Sequence, residues 1–140
     1  MISTKGRYAV RVLIDMAERA EEGLIPLRDI AQRQEVSEKY LQRIARQLVD
    51  ADIVQGVSGK GGGYRLSRPA DEITVYQVLE AAEGTLAPVS CLAADAASCD
   101  RAPTCKTLPL WKSFDEIVRQ FFGGVTIAEL ANGTASLPLA

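Results

Sequence analysis

Apolar residues return every four positions between Glu38 and Ala51, as Tyr40–Leu41, Ile44–Ala45 and Leu48–Val49. That spacing lays one continuous stripe along a helix and turns it toward a core. Ser37 is placed to cap the helix, and Glu38 sits in its first turn, where an acid is favoured. Lys39, Gln42, Arg43 and Arg46 are left outward. Upstream, residues 3–20 predict an amphipathic helix that starts near Thr4, with Tyr8, Val12, Ile14, Met16 and Ala17 on the buried side. Glu21, Glu22 and Gly23 break it. Pro26 then fits the opening of a short helix over Leu27–Arg33, in which Leu27, Ile30 and Ala31 form the next buried stripe. Residues 34–36 make the turn between the two helices.

Past Ala51 the helical period stops. Ile53–Val57 and Tyr64–Leu66 read as short strands around the loop Ser58–Gly63, where Gly59, Gly61, Gly62 and Gly63 surround Lys60. Glycine allows the tight backbone such a loop needs and lets it approach phosphate closely. Residues 68–73 form a linker. Thr74 and Gln77 have capping-box spacing for a helix to about Ala82, with Val75, Val78 and Leu79 closing the core. Thr126 and Glu129 repeat that spacing before a short helix, Ile127–Leu130. Between them, Leu108, Trp111, Phe114, Ile117, Val118 and Phe121 give one helix a broad apolar face, ended by Gly123–Gly124. A face that large predicts dimerisation, with packing onto its own domain as the alternative. The predicted architecture is mainly α. A winged helix-turn-helix domain spans 1–83 and a cysteine-containing loop 84–106. A dimerisation helix with a short terminal helix spans 107–131, and a tail 132–140.

The net charge of −2 over 140 residues speaks against nucleic acid until its distribution is considered. Residues 1–68 carry 12 Lys/Arg against 9 Asp/Glu, whereas 69–140 carry 4 against 9. Local charge is what attracts phosphate. Lys5, Arg7 and Arg11 gather at the start of the first helix, where cations oppose the helix dipole; either a DNA phosphate or plain solvation accounts for them. Ser37, Glu38, Lys39, Gln42 and Arg43 occupy the turns that a recognition helix inserts into the major groove. Lys60 and Arg65 on the hairpin are placed to reach the backbone or the minor groove. A nucleotide phosphate loop does not fit, because no Lys-Ser/Thr pair follows the glycines.

The chain has no histidine, which excludes hydrolytic triads that need one; no catalytic pair is visible, and no enzyme is expected. It also lacks an apolar run long enough to span a membrane and an apolar block after the N-terminal basic residues, so a cytoplasmic location is expected. Cys91, Cys99 and Cys105 are separated by seven and five residues. Three thiolates on one loop suit soft iron or zinc, with Asp95 and Asp100 as nearby oxygen donors. Free thiols, or thiols that are reversibly oxidised, are the metal-free alternatives.

Four pieces together resemble a known family: Ser3-Thr4-Lys5-Gly6-Arg7-Tyr8-Ala9-Val10, Ser37–Leu41, Gly61-Gly62-Gly63-Tyr64 and Leu110-Trp111. Over about residues 1–131 the chain is similar to the Rrf2 family of winged-helix transcriptional regulators, and within it to the IscR-type iron–sulfur cluster regulators. The resemblance implies a homodimer on a roughly palindromic site in double-stranded DNA. Recognition helices would enter major grooves, wings would touch flanking minor grooves, and long C-terminal helices would cross between subunits. It implies that Cys91, Cys99 and Cys105 hold a 2Fe–2S cluster, with a 4Fe–4S cluster or none as alternatives. Gln42 falls where the cluster regulator carries glutamate, which alters the hydrogen bonds available to a base. The first cysteine gap is longer than the family's usual one. The family's histidine ligand falls on Leu108, and the aspartate ligand of the nitric-oxide-sensing branch falls on Tyr8. The expected function is a dimeric repressor that senses cluster or redox status. The alternatives are a cluster-free regulator sensing thiol redox or a metabolite, and a winged-helix protein-interaction adaptor.

Overall fold

A computed structural model describes residues 1–139. Among them the chain forms six α-helices and one two-stranded hairpin. The first helix, α1 (Thr4–Glu18), is capped by Ser3, whose Oγ accepts from the Gly6 N–H at 3.4 Å. Its buried face is Gly6, Ala9, Val12, Leu13 and Met16, joined by Asp15. That face differs from the expected one: Tyr8, Ile14 and Ala17 are only partly buried, and Ala9 and Leu13 replace them in the core. Both faces carry apolar residues, so periodicity alone could not choose between them.

Helix α2 (Leu27–Gln34) starts after Pro26 and buries Leu27, Ile30 and Ala31. It ends where Glu35 takes a left-handed conformation (φ 55°) and the Val36 N–H donates back to the Ala31 carbonyl at 3.0 Å. Ser37 then caps α3 (Glu38–Asp50), accepting from the Tyr40 N–H at 3.1 Å. Leu41, Ile44, Ala45 and Leu48 enter the core. Val49, expected inside, is 38% exposed, because the body of the domain contacts only the narrower stripe beside it.

The hairpin pairs β1 (Val54–Val57) with β2 (Gly63–Leu66), antiparallel from Val54↔Leu66 to Val57↔Gly63. Ile53 precedes the strand as a core residue. Near the loop end of the hairpin, Ile25 and Tyr64 exchange N–H to carbonyl bonds, both 2.8 Å. Gly63 has φ +156° there, and a Cβ on it would lie 2.6 Å from the Ile25 backbone, so the pairing requires glycine.

Helix α4 (Val75–Glu83) carries the complete Thr74–Gln77 capping box and buries Val75, Val78, Leu79 and Ala82. Residues 84–107 contain only short 3-10 turns, at Ser90–Leu92 and Ala102–Thr104. Helix α5 (Leu108–Gly123) follows, then α6 (Ile127–Asn132) with the second capping box, Thr126–Glu129. Two backbone bonds, Val75 N–H to Val125 O (2.8 Å) and Ile127 N–H to Ile73 O (2.9 Å), stitch the start of α6 to the start of α4. Helix α1 packs on both, so Leu13, Ile44, Leu48, Val78 and Ile127 share one continuous core. Asn132 belongs to α6, and Ala135 packs on the core, so the expected tail starts later than 132; Ala140 lies outside the described residues.

Candidate nucleic-acid interface

The outward ridge of α3 consists of Lys39, Gln42, Arg43 and Arg46, all exposed, with Ser37 and Glu38 exposed at its start. An open groove lies on each side. The first, of about 700 Å³, is lined by Lys5, Lys39, Tyr40, Gln42, Arg43, Arg46, Gln47 and Tyr64. It holds four cations and no acid. The second, about 790 Å³, lies between α3, the start of α2 and the hairpin. There Arg28, Arg46 and Lys60 are countered by Glu38 and Asp50. A helix seated in a major groove has a phosphate strand on either flank, and the acid-free groove has the charge that attracts one.

The expected contact residues divide on this geometry. Lys5, Lys39, Gln42 and Arg43 come together in the first groove, and Lys60 is exposed at the hairpin tip. Ser37 spends its hydroxyl on the helix cap. Arg65 is exposed but donates from Nε to Gln55 Oε1 at 3.1 Å, across the hairpin. Arg7 lines neither groove, and its guanidinium reaches only Thr4 Oγ1, at 3.4 Å. Arg46 and Arg28 were not among the expected contacts. Arg46 lies three residues past Arg43 and four past Gln42, so the helical period that marked those two marks it as well.

The three cysteines form no disulfide; Cys91 and Cys99 are exposed and Cys105 is half-buried. Cys105 Sγ lies 3.4 Å from Thr107 Oγ1. Hydrogen bonds from the Thr107 side chain and from the Thr107 and Leu108 backbone hold its thiol below the usual range, favouring the thiolate that metals bind. The donors are of the right chemical type for iron. Their arrangement is not that of an assembled site: among the described residues, no three His, Cys, Asp or Glu side chains are grouped to hold a metal ion. Leu108, at the start of α5, offers only hydrocarbon.

On α5, Leu110, Phe114, Ile117 and Phe121 are exposed by 60, 40, 59 and 41%. Trp111 is half-buried. Val118, expected on the same presented face, is instead the one buried residue of the helix. Helix α5 packs on α4, where the Arg119 guanidinium lies 5.5 Å from the Tyr76 ring centroid, while the exposed four repeat at i, i+4, i+7 and i+11 on another face.

A winged hairpin following a cationic helix of this kind defines a DNA-binding transcriptional regulator of the winged helix-turn-helix class. The chain belongs to the Rrf2 family, described as iron-dependent transcriptional regulators, which it matches over residues 2–133. It is 36% identical over 129 residues to the HTH-type transcriptional regulator IscR of Aliivibrio salmonicida, covering 92% of this chain and 76% of that protein. To IscR of Erwinia tasmaniensis it is 35% identical over 139 residues, covering 99% and 83%. Among solved structures, CymR, the global cysteine regulator of B. subtilis, superposes with a TM-score of 0.75 at 32% identity, covering 96% of this chain and 98% of that one. T. potens IscR superposes with a TM-score of 0.74 at 26% identity, covering 100% and 92%. These relatives are transcriptional regulators, and the family is not one of enzymes. No helix among the described residues is long and apolar enough to cross a membrane.

Proposed function

We propose that the chain is a cytoplasmic homodimer that binds double-stranded DNA sequence-specifically and represses transcription. In this reading α3 lies in the major groove, with Gln42 and Arg43 toward base edges. Lys5, Lys39 and Arg46 neutralise one flanking strand, and Lys60 touches the other side from the hairpin tip. The observation that carries the reading is the acid-free groove of four cations beside the α3 ridge. Duplex binding measured against salt tests it. Each of Lys39→Ala and Arg46→Ala should reduce the slope of log affinity on log salt by about 1. Binding that ignores salt would instead mark the surface as one for protein partners.

The exposed stripe of α5 is the subunit contact in this reading, with Trp111 at its edge. Cys91, Cys99 and Cys105 would hold a 2Fe–2S cluster, which would supply one-electron redox chemistry on the loop that leads into α5. The chain's own part is to present thiolates, Cys105 most readily, on a segment that leads directly into the subunit-contact helix. Anaerobic iron and sulfide assay with visible spectroscopy tests this; serine at any one of the three should abolish the colour.

A second reading has a specific observation behind it. The thiols do not converge, and Leu108 stands where a fourth ligand is expected. A cluster-free regulator whose exposed thiols respond to oxidation fits these facts. A colourless protein after anaerobic reconstitution, with duplex affinity that changes under mild oxidant, would select it.

A further inference from the structure

Among the described residues, Asp15 is the one charged residue with a buried side chain, at 2% exposure. A carboxylate removed from water needs donors, and it has them. Arg33 grips it with both arms, Nε to Oδ2 at 3.0 Å and Nη2 to Oδ1 at 2.7 Å. Gln34 Nε2 donates a third bond at 3.0 Å, and Arg19 stands 3.6 Å away. Gln34 is held from its other side by Arg11, which donates Nε to Oε1 at 3.0 Å and Nη2 to the backbone carbonyl at 2.8 Å. The Arg11 guanidinium lies over the Tyr8 ring at 4.9 Å. Tyr8 in turn meets Tyr40 edge-on, with centroids 6.0 Å apart and planes at 84°.

These contacts form one unbroken path. It starts at a sealed carboxylate in α1, crosses to the last two residues of α2, returns to Arg11 and Tyr8 of α1, and ends in the first turn of α3, where Tyr40 lines the cationic groove. The apolar stripes of α2 and α3 already secure those helices to the core. Apolar contact tolerates small rotations, whereas a two-pronged guanidinium–carboxylate pair has a fixed direction. The clamp also falls immediately before the turn from which α3 departs.

We infer that Asp15 is a positioning residue for DNA reading: through Arg33, Gln34 and Arg11 it sets the angle at which α3 leaves the turn and thereby aims the base-reading ridge. The inference rests on α3 being the recognition helix. It also removes Arg11 from the phosphate-binding set and gives it an internal task.

The test uses the full chain, with a duplex that the unaltered protein enriches from a randomised pool and a scrambled duplex of equal length. Asp15→Asn keeps the side-chain shape and removes the charge. It should bind the enriched duplex about tenfold more weakly and the scrambled one within about twofold, because aim affects base contacts more than phosphate contacts. Arg11→Gln, an exposed change that leaves the core untouched, should act in the same direction without altering the salt slope. The double variant should be no worse than the weaker single one, since both act through one path. If Asp15→Asn does not fold, the Arg11→Gln result decides alone. Equal losses on both duplexes, a reduced salt slope for Arg11→Gln, or full additivity would overturn the inference. Failure of the unaltered protein to enrich any duplex would take down the recognition-helix reading and this inference together; enrichment with unaffected variants would remove the positioning role only.

Discussion

Helices α3 and α5 carry apolar stripes of nearly the same period, but they end in opposite situations. Of the 13 residues of α3, Leu41, Ile44, Ala45 and Leu48 lie in the core, and the polar side faces out. Of the 16 residues of α5, Val118 alone is buried, and four large apolar side chains face solvent. An amphipathic pattern therefore specifies that a helix has a side to cover, without specifying what covers it. For α3 the cover is the chain's own α1, α2 and α4; for α5 we propose that it is a second copy.

The difference is open to experiment. Leu48→Ala, at a fully buried site, should lower unfolding stability by about 3 kcal/mol, while Ile117→Ala should change the stability of dilute monomer by less than about 1 kcal/mol. Equal effects in denaturant titrations would erase the contrast. Phe114→Glu should leave the helical content intact and weaken self-association by about 2 kcal/mol, read by sedimentation as a shift to monomer. An unchanged dimer would mean that the α5 stripe is covered by something else. Thr74→Ala should cost about 1 kcal/mol, because the capping box also holds α4 where it supports α3 and α6. A loss within thermal-melt error would show that packing alone fixes α4.

A narrower prediction concerns acid. Burial alone would raise the Asp15 carboxyl, but hydrogen bonds from Arg33 and Gln34, with the charges of Arg33 and Arg19, outweigh it and hold the group below the ordinary carboxylate range. The stabilisation is therefore present above the unfolded-state value of about 3.9 and is lost as pH falls through the lower folded-state value. The difference in melting temperature between the unaltered chain and Asp15→Asn should shrink across that acidic window. A constant difference would assign it to shape rather than charge.

Local signals in the sequence were the dependable ones. The Ser37 cap, both capping boxes and the glycine-rich hairpin depend on neighbours within a few residues, and each is found where its spacing placed it. What the sequence did not settle was always a choice of partner. In α1 the pattern allowed Tyr8 and Ile14 as readily as Ala9 and Leu13, and neighbouring helices decided. Val118 and Val49 changed sides for the same reason. The Asp15–Arg33–Gln34 cluster joins residues 18 and 19 positions apart, so nothing local marks Asp15 as different from any helical acid. For the candidate interface, the α3 ridge was legible from period and charge. Arg11 was not, because its cationic cluster with Lys5 and Arg7 resembles a phosphate site until Gln34 is seen to take it.

The backbone exchange between Ile25 and Tyr64 braces the hairpin close to its loop, so that it acts as a short lever with only residues 58–62 projecting past the support. The two ends of that lever are separately editable. Residues 58–62, beyond the last strand pair, are the part open to exchange from another winged protein, whereas any side chain at Gly63 would collide with the Ile25 backbone and break that brace. Evolution of a new flank preference in this scaffold would then proceed by swapping tips on a fixed mount.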